Sequence, residues 1–87
     1  MLEEMIGQAV VVDLRSPFVC LGTLTRLDTE HLELANADFH DLRDTQTSRE
    51  NYVASSKYTG IKRNRKRVLV ARGEVVAISR LEDVVDE

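Results

Sequence analysis

Between Gln8 and Arg15, apolar and polar positions alternate, with Val10, Val12 and Leu14 on one side and Val11, Asp13 and Arg15 on the other. A period of two built from β-branched residues predicts a strand. Ser16-Pro17 follows as a turn, because proline holds φ near the value a tight turn needs. Phe18 to Leu27 reads as a second strand with Gly22 inside it. A glycine in mid-strand marks a sharp bend or a close backbone approach, which a strand serving two sides of a small core requires. His31 to Ala35 makes a third strand, with Leu32 and Leu34 on one face. Arg67 to Arg72 and Val75 to Arg80 make a fourth and a fifth, divided by an abrupt turn at Gly73.

Two stretches break this pattern. Met1 to Ile6 reads as one or two helical turns stopped by Gly7. In the middle, Thr47-Ser48-Arg49-Glu50 has the spacing of a capping box, so a helix is predicted from about 48 to 58, ending at Gly60. The tail from Leu81 to Glu87 reads as a short extra strand or helix. Five short twisted strands with one hard bend leave no room for two sheets and imply a small closed or partly open barrel. The expected architecture is mostly β. A short N-terminal helix leads into a five-stranded, strongly bent antiparallel barrel, and an insert at about 37–66 carries a helix between strands three and four.

Composition narrows the class. Eighty-seven residues, 43% of them hydrophobic and 31% charged, make a single domain covering 1–87. The longest apolar runs, such as Ala9 to Val12 and Val68 to Ala71, are four residues, whereas a membrane span needs about 20. The N-terminus lacks the basic-then-apolar layout of a signal peptide. A single cysteine, Cys20, cannot form an internal disulfide. A soluble, cytoplasmic domain is expected, with no membrane partner.

Charge changes the picture more. The net charge of −3 hides a strong segregation: residues 57–72 carry seven basic groups and no acid, and residues 73–87 carry five acids and one base. Lys62, Arg63, Arg65, Lys66 and Arg67 form the densest part, a local positive field on an acidic body. Such a run suits phosphate contact, since clustered Lys and Arg displace counterions from nucleic acid. It equally suits a solvated loop or a partner for the protein's own acidic tail. The overall acidity excludes whole-surface binding to nucleic acid, so any binding is local.

Two strings carry a resemblance. GTLTRLD supplies a bent-strand glycine, an apolar residue two later and an aspartate, here Gly22, Leu24 and Asp28. VLVARGEVVAIS, Val68 to Ser79, is an apolar strand ending in Arg72-Gly73 and restarting with apolar residues. Preceded by LEEMIGQAVVVDL and in this order, they resemble the Sm and Sm-like family, from about Leu2 to Ser79. The Arg-Gly pair places the likeness with the Arg-Gly type rather than the Hfq branch, which has Lys-His there. His31 stands where the family has Asn, and the segment after Asp28 is one residue shorter.

The resemblance implies rings of six or seven subunits in which the fourth strand of one pairs with the fifth of the next. It also implies binding of single-stranded, uridine-rich RNA at the inner rim. Carried across, Arg72 beside Gly73 is the stacking cation, His31 stacks or hydrogen-bonds, and Asp28 orients the site. The basic run would then contact phosphates, its effect multiplied by repetition around a ring. The plainer readings are a half-exposed strand histidine, a turn arginine paired with Asp28 or Glu74, and a monomer or dimer whose sheet edge the insert helix covers.

Catalysis is not expected. There is no Gly-rich phosphate loop and no metal-spaced Cys/His set, and no cofactor is expected. Asp38, His40, Asp41 and Asp44 in DFHDLRD read as a solvated turn rather than a metal site. Cys20 reads as a small buried hydrophobe. The competing function is a protein-assembly module, using the insert helix with Tyr52 and Tyr58 and the acidic tail at 82–87.

Overall fold

The computed structural model describes residues 1–44 and 46–85; Thr45, Asp86 and Glu87 lie outside the described residues, and with them the end of the acidic tail. The strands are β1 (Ala9–Leu14), β2 (Phe18–Leu27), β3 (His31–Asp41), β4 (Arg65–Ala71) and β5 (Val75–Arg80), and one helix, α1 (Arg49–Thr59), lies between β3 and β4. They form one antiparallel sheet in the order β4-β3-β2-β1-β5. β4 and β5, joined by the three-residue 3-10 turn Arg72–Glu74, sit at opposite ends of that order. A connection that short forces the sheet to roll until its two edges approach, which makes a partly open barrel.

Gly22 is where the roll is sharpest. A Cβ there would meet the Ala37 Cβ at 3.0 Å and the Ala35 carbonyl oxygen at 3.1 Å, so only glycine lets β3 approach β2 this closely. The register slips opposite it: Leu21 pairs with Asp38 and Thr23 with Ala35, leaving one extra residue on β3. Asn36 absorbs that residue at φ 51°, a left-handed conformation that Asn tolerates. The bulge reverses which side chains face inward. Leu32 and Leu34 enter the barrel before it, Ala37 and Phe39 after it. Alternation therefore breaks at Asn36, and β3 runs on to Asp41 instead of stopping at Ala35. The insert is correspondingly shorter, 42–64 rather than about 37–66, and Asp38, His40 and Asp41 lie on a strand rather than on a solvated turn.

The barrel interior is lined by Val10, Val12, Leu14, Cys20, Leu24, Leu32, Leu34, Ala37 and Val70. Leu2 and Met5, on the N-terminal 3-10 turn Leu2–Met5, close one end of it. That segment is a single 3-10 turn, shorter than the expected helix. Burial pushes the Cys20 thiol up to about 12, consistent with a packing role.

A second cluster lies on the outer face, where α1 rests on β1 and β2: Val53 packs with Val11, Val19 and Leu21. Ser48, not Thr47, is the N-cap, its hydroxyl accepting from the Asn51 N–H at 3.2 Å. Gly60, at φ 93°, ends the helix as expected. Arg49 reaches Asp13 on β1 at 2.7 Å, and the Lys57 ammonium donates to the carbonyls of Glu82 and Val84. The helix thus covers a face, not the outer edge of β4 or β5. The tail forms the 3-10 turn Leu81–Asp83 and packs Leu81 and Val84 beneath it.

Candidate nucleic-acid interface

The β2–β3 loop is short, and Asp28 shapes it. Its Oδ1 accepts from the backbone N–H groups of Glu30 at 2.8 Å and His31 at 2.6 Å, and these bonds hold its carboxyl below the usual carboxylate range. The His31 Nδ1 lies 3.7 Å from the same oxygen. From the β4–β5 turn, Arg72 reaches across: its backbone N–H donates to the Glu30 carbonyl at 2.8 Å and its guanidinium to the Asp28 carbonyl. Asp28, His31 and Arg72, separated by 44 positions at the extremes, therefore meet at one end of the sheet.

Arg15, which sequence reasoning missed, clasps the same turn from the other side. Its backbone N–H donates to the Glu74 carbonyl at 2.9 Å and its side chain to the Gly73 carbonyl at 3.0 Å. Gly73 has an ordinary negative φ, and a Cβ there would meet nothing within 4 Å. The turn falls at Gly73 as expected, and its geometry does not itself require glycine. The missing side chain leaves open space beside Arg72 instead.

Next to this rim is a hollow of about 300 Å³ lined by Arg26, Leu27, Asp28, His31, Glu33 and Leu69. Glu33 is nearly buried; it accepts from the Thr25 hydroxyl at 2.7 Å and pairs with Arg26 at 3.2 Å. The Thr25 hydrogen bond is the main cause that keeps its carboxyl ionised at lower pH than an ordinary Glu. Arg26, Glu33 and Leu69 carried no sequence signal, because only the β2–β3 and β3–β4 registers bring them to one place.

Of the basic run only Arg67 comes near this rim, its charge acting on the Glu33 carboxyl that lines the hollow. β4 pairs Ala71 with His31 at one end and Arg65 with Ala37 at the other. At about 3.3 Å per residue, Arg67 and Arg72 are about 17 Å apart along the strand. The run was expected just before β4, yet Arg65, Lys66 and Arg67 lie within it, all exposed. Arg63 donates to the Asn36 side chain at 2.6 Å and so braces the bulge. Asn64, also unforeseen, prolongs the β3–β4 ladder: its backbone N–H bonds Ala37, and its amide takes the Phe39 N–H and donates to the Phe39 carbonyl. Lys62 is exposed in the connection to β4.

The residues of the considered metal set separate. Asp38 is buried, desolvation raising its pKa, and takes the Asn64 amide at 3.3 Å; His40 stacks on Tyr52 at 4.0 Å; Asp41 holds Arg43 at 2.8 Å. Among the described residues no three His, Cys, Asp or Glu converge as metal ligands, and no helix is long and apolar enough to cross a membrane.

Neither a protein-family model nor a curated protein matches the chain. Solved structures do. An Sm protein of Pyrococcus abyssii, in complex with a uridine heptamer, superposes with a TM-score of 0.61 at 18% identity, covering 90% of this chain and 89% of that one. The fold is that of the Sm-like proteins. An Sm-like protein from Archaeoglobus fulgidus gives 0.62 at 18% identity, with 92% and 88% covered. A chain in the structure of the NatC complex bound to CoA gives 0.62 at 20% identity, with 98% and 95% covered. The Sm-like fold is thus shared over nearly the whole chain.

Proposed function

We propose that this chain is a non-catalytic Sm-like subunit of the Arg-Gly type, acting in the cytoplasm. It assembles into a homo-oligomeric ring of six or seven copies and binds single-stranded RNA at the rim built from Asp28, His31, Arg72 and Gly73. The observation that carries this reading is the convergence of those residues beside open space at Gly73 and a hollow of about 300 Å³. Arg72 spends one donor on Asp28 and keeps the rest of a planar guanidinium for stacking on a base. His31, stiffened by the Asp28 turn, offers a second ring. An imidazole in place of the family's Asn lowers the expected selectivity for uridine. The basic run, with Lys62, Arg63, Arg65, Lys66 and Arg67, stands about 17 Å or more from Arg72 and within this reading supplies phosphate contacts rather than base contacts.

Edge strands support the assembly. β4 and β5 each keep one unpaired edge and expose Leu69 (60%) and Val76 (67%). Backbone groups left open on both edges invite head-to-tail pairing, which closes when the rotation is fixed.

Fluorescence anisotropy of a labelled oligouridine tests the RNA reading. Micromolar binding that weakens with salt and falls at least about tenfold in Arg72→Ala is the expected outcome. Absence of binding at low salt would leave the second reading, a protein-assembly module. The match to a chain of the NatC complex and the 69% exposure of Tyr58 at the end of α1 favour that reading.

A further inference from the structure

A basic and an acidic segment lie at matching ends of the two open edges of the sheet. On β4, the exposed Arg65, Lys66 and Arg67 occupy the end far from the β4–β5 turn. On β5, the end far from that turn is Arg80, followed after Leu81 by Glu82 and Asp83, both exposed. Beside it the N-terminal turn adds Glu4, which with Met1, Leu2, Met5, Ile78 and Arg80 lines an apolar hollow of about 430 Å³. Arg80 itself is engaged, donating to the Gln8 side chain at 2.6 Å and lying 3.9 Å from Asp83.

Every strand pair in this sheet is antiparallel. If β4 of one copy adds to β5 of another in the same sense, the turn-distal end of one strand must lie beside the turn-distal end of the other. Slippage by two residues, the smallest step that keeps inward side chains inward, does not alter this.

We infer that the basic end of β4 is an electrostatic clamp for a second copy of this chain: Arg65, Lys66 and Arg67 face the acidic collar of Glu4, Glu82 and Asp83, and an apolar β4 side chain enters the hollow between Leu2, Met5 and Ile78. The inference rests on the edge-to-edge assembly proposed above and gives the basic run a protein partner in place of phosphates. It also accounts for the sharp segregation of charge along an otherwise acidic chain. Arg80 is a like charge at this end, but it is held within its own chain by Gln8 and Asp83; parallel addition would carry the β4 cations away from Glu82 and Asp83 and is disfavoured.

Sedimentation velocity of the RNA-free protein at about 50 mM and about 500 mM NaCl tests it, because exposed charge pairs are screened over that range. Three variants are compared, each checked for folding by circular dichroism: Glu82→Lys/Asp83→Lys, Arg65→Glu/Lys66→Glu, and all four changes together. The expected result is a wild-type oligomer that loosens with salt, a dissociation constant raised about tenfold or more in each reversed variant, and assembly restored when both reversals share one chain. An oligomer indifferent to salt and to the tail reversal overturns the clamp while leaving edge pairing intact. Loss on reversing β4 alone, without loss at the tail and without rescue, also overturns it and returns the run to phosphate binding. A wild-type monomer at low salt overturns the assembly reading itself.

Discussion

The barrel interior and the layer beneath α1 are both apolar, yet they are held in different ways. The interior draws a side chain from every strand; Val10, Val12, Cys20, Leu24 and Leu34 are fully excluded from solvent, and no ion pair is needed. The outer layer rests on one buried helical residue of bulk, Val53, and on polar ties: Arg49 to Asp13, and Lys57 to the carbonyls of Glu82 and Val84. It also tolerates two buried polar atoms without a hydrogen-bond partner, the His40 Nε2 and the Tyr52 hydroxyl. The buried lining of the barrel is aliphatic apart from Cys20 and carries no side-chain nitrogen or oxygen to satisfy. The lesson is that the barrel specifies the fold and the helix is an addition to it, drawn from the less stable end of the structure.

Three substitutions break or sharpen that contrast. Leu24→Ala opens a cavity where all strands converge and is expected to cost about 3 kcal/mol in urea unfolding. A loss below about 1 kcal/mol would show that the interior relaxes freely and would remove the distinction. Gly22→Ala forces β3 away from β2 at the bend and is expected to cost about 1–3 kcal/mol, since the nearest atoms, the Ala37 Cβ and Cα and the Ala35 carbonyl oxygen, are fixed by the backbone and cannot swing aside. Arg49→Ala is expected to cost only about 0.5–1 kcal/mol, because the two side chains of the pair are still 32% and 26% exposed to solvent. Its signature is local: amides of α1 exchange faster while those of β1 and β2 keep their protection. Equal acceleration in helix and barrel would make them one cooperative unit.

The contrast also explains which parts of the molecule were legible in the chain. β2 and β5 have the bounds read from the sequence, and Gly22 marked the bend through its position alone. β3 did not, because a bulge at Asn36 moves Ala37 and Phe39 to the face that Leu32 and Leu34 occupied, and a period-two pattern cannot register that reversal. The helix cap moved by one residue, from Thr47 to Ser48, since neighbouring hydroxyls are equivalent in a sequence pattern and differ only in backbone direction. At the rim, Asp28, His31 and Arg72 were named from two short strings. Arg15, Arg26 and Glu33 were not, since their proximity depends on ladder register.

Alternation, turn residues and a single mid-strand glycine were enough, by themselves, to determine a five-stranded bent sheet with a helical insert, because each is a local preference that the others do not oppose. The segregation of charge was equally explicit. What only the tertiary structure decided is which charges act together. Rolling the sheet brings the β2–β3 loop to the Arg72 turn, and the length of β4 carries the basic run about 17 Å away from it to the opposite end of an open edge. Hydrogen bonds reach about 3 Å and exposed charges are screened beyond about 10 Å, and distance in space is fixed by register and curvature rather than by separation along the chain.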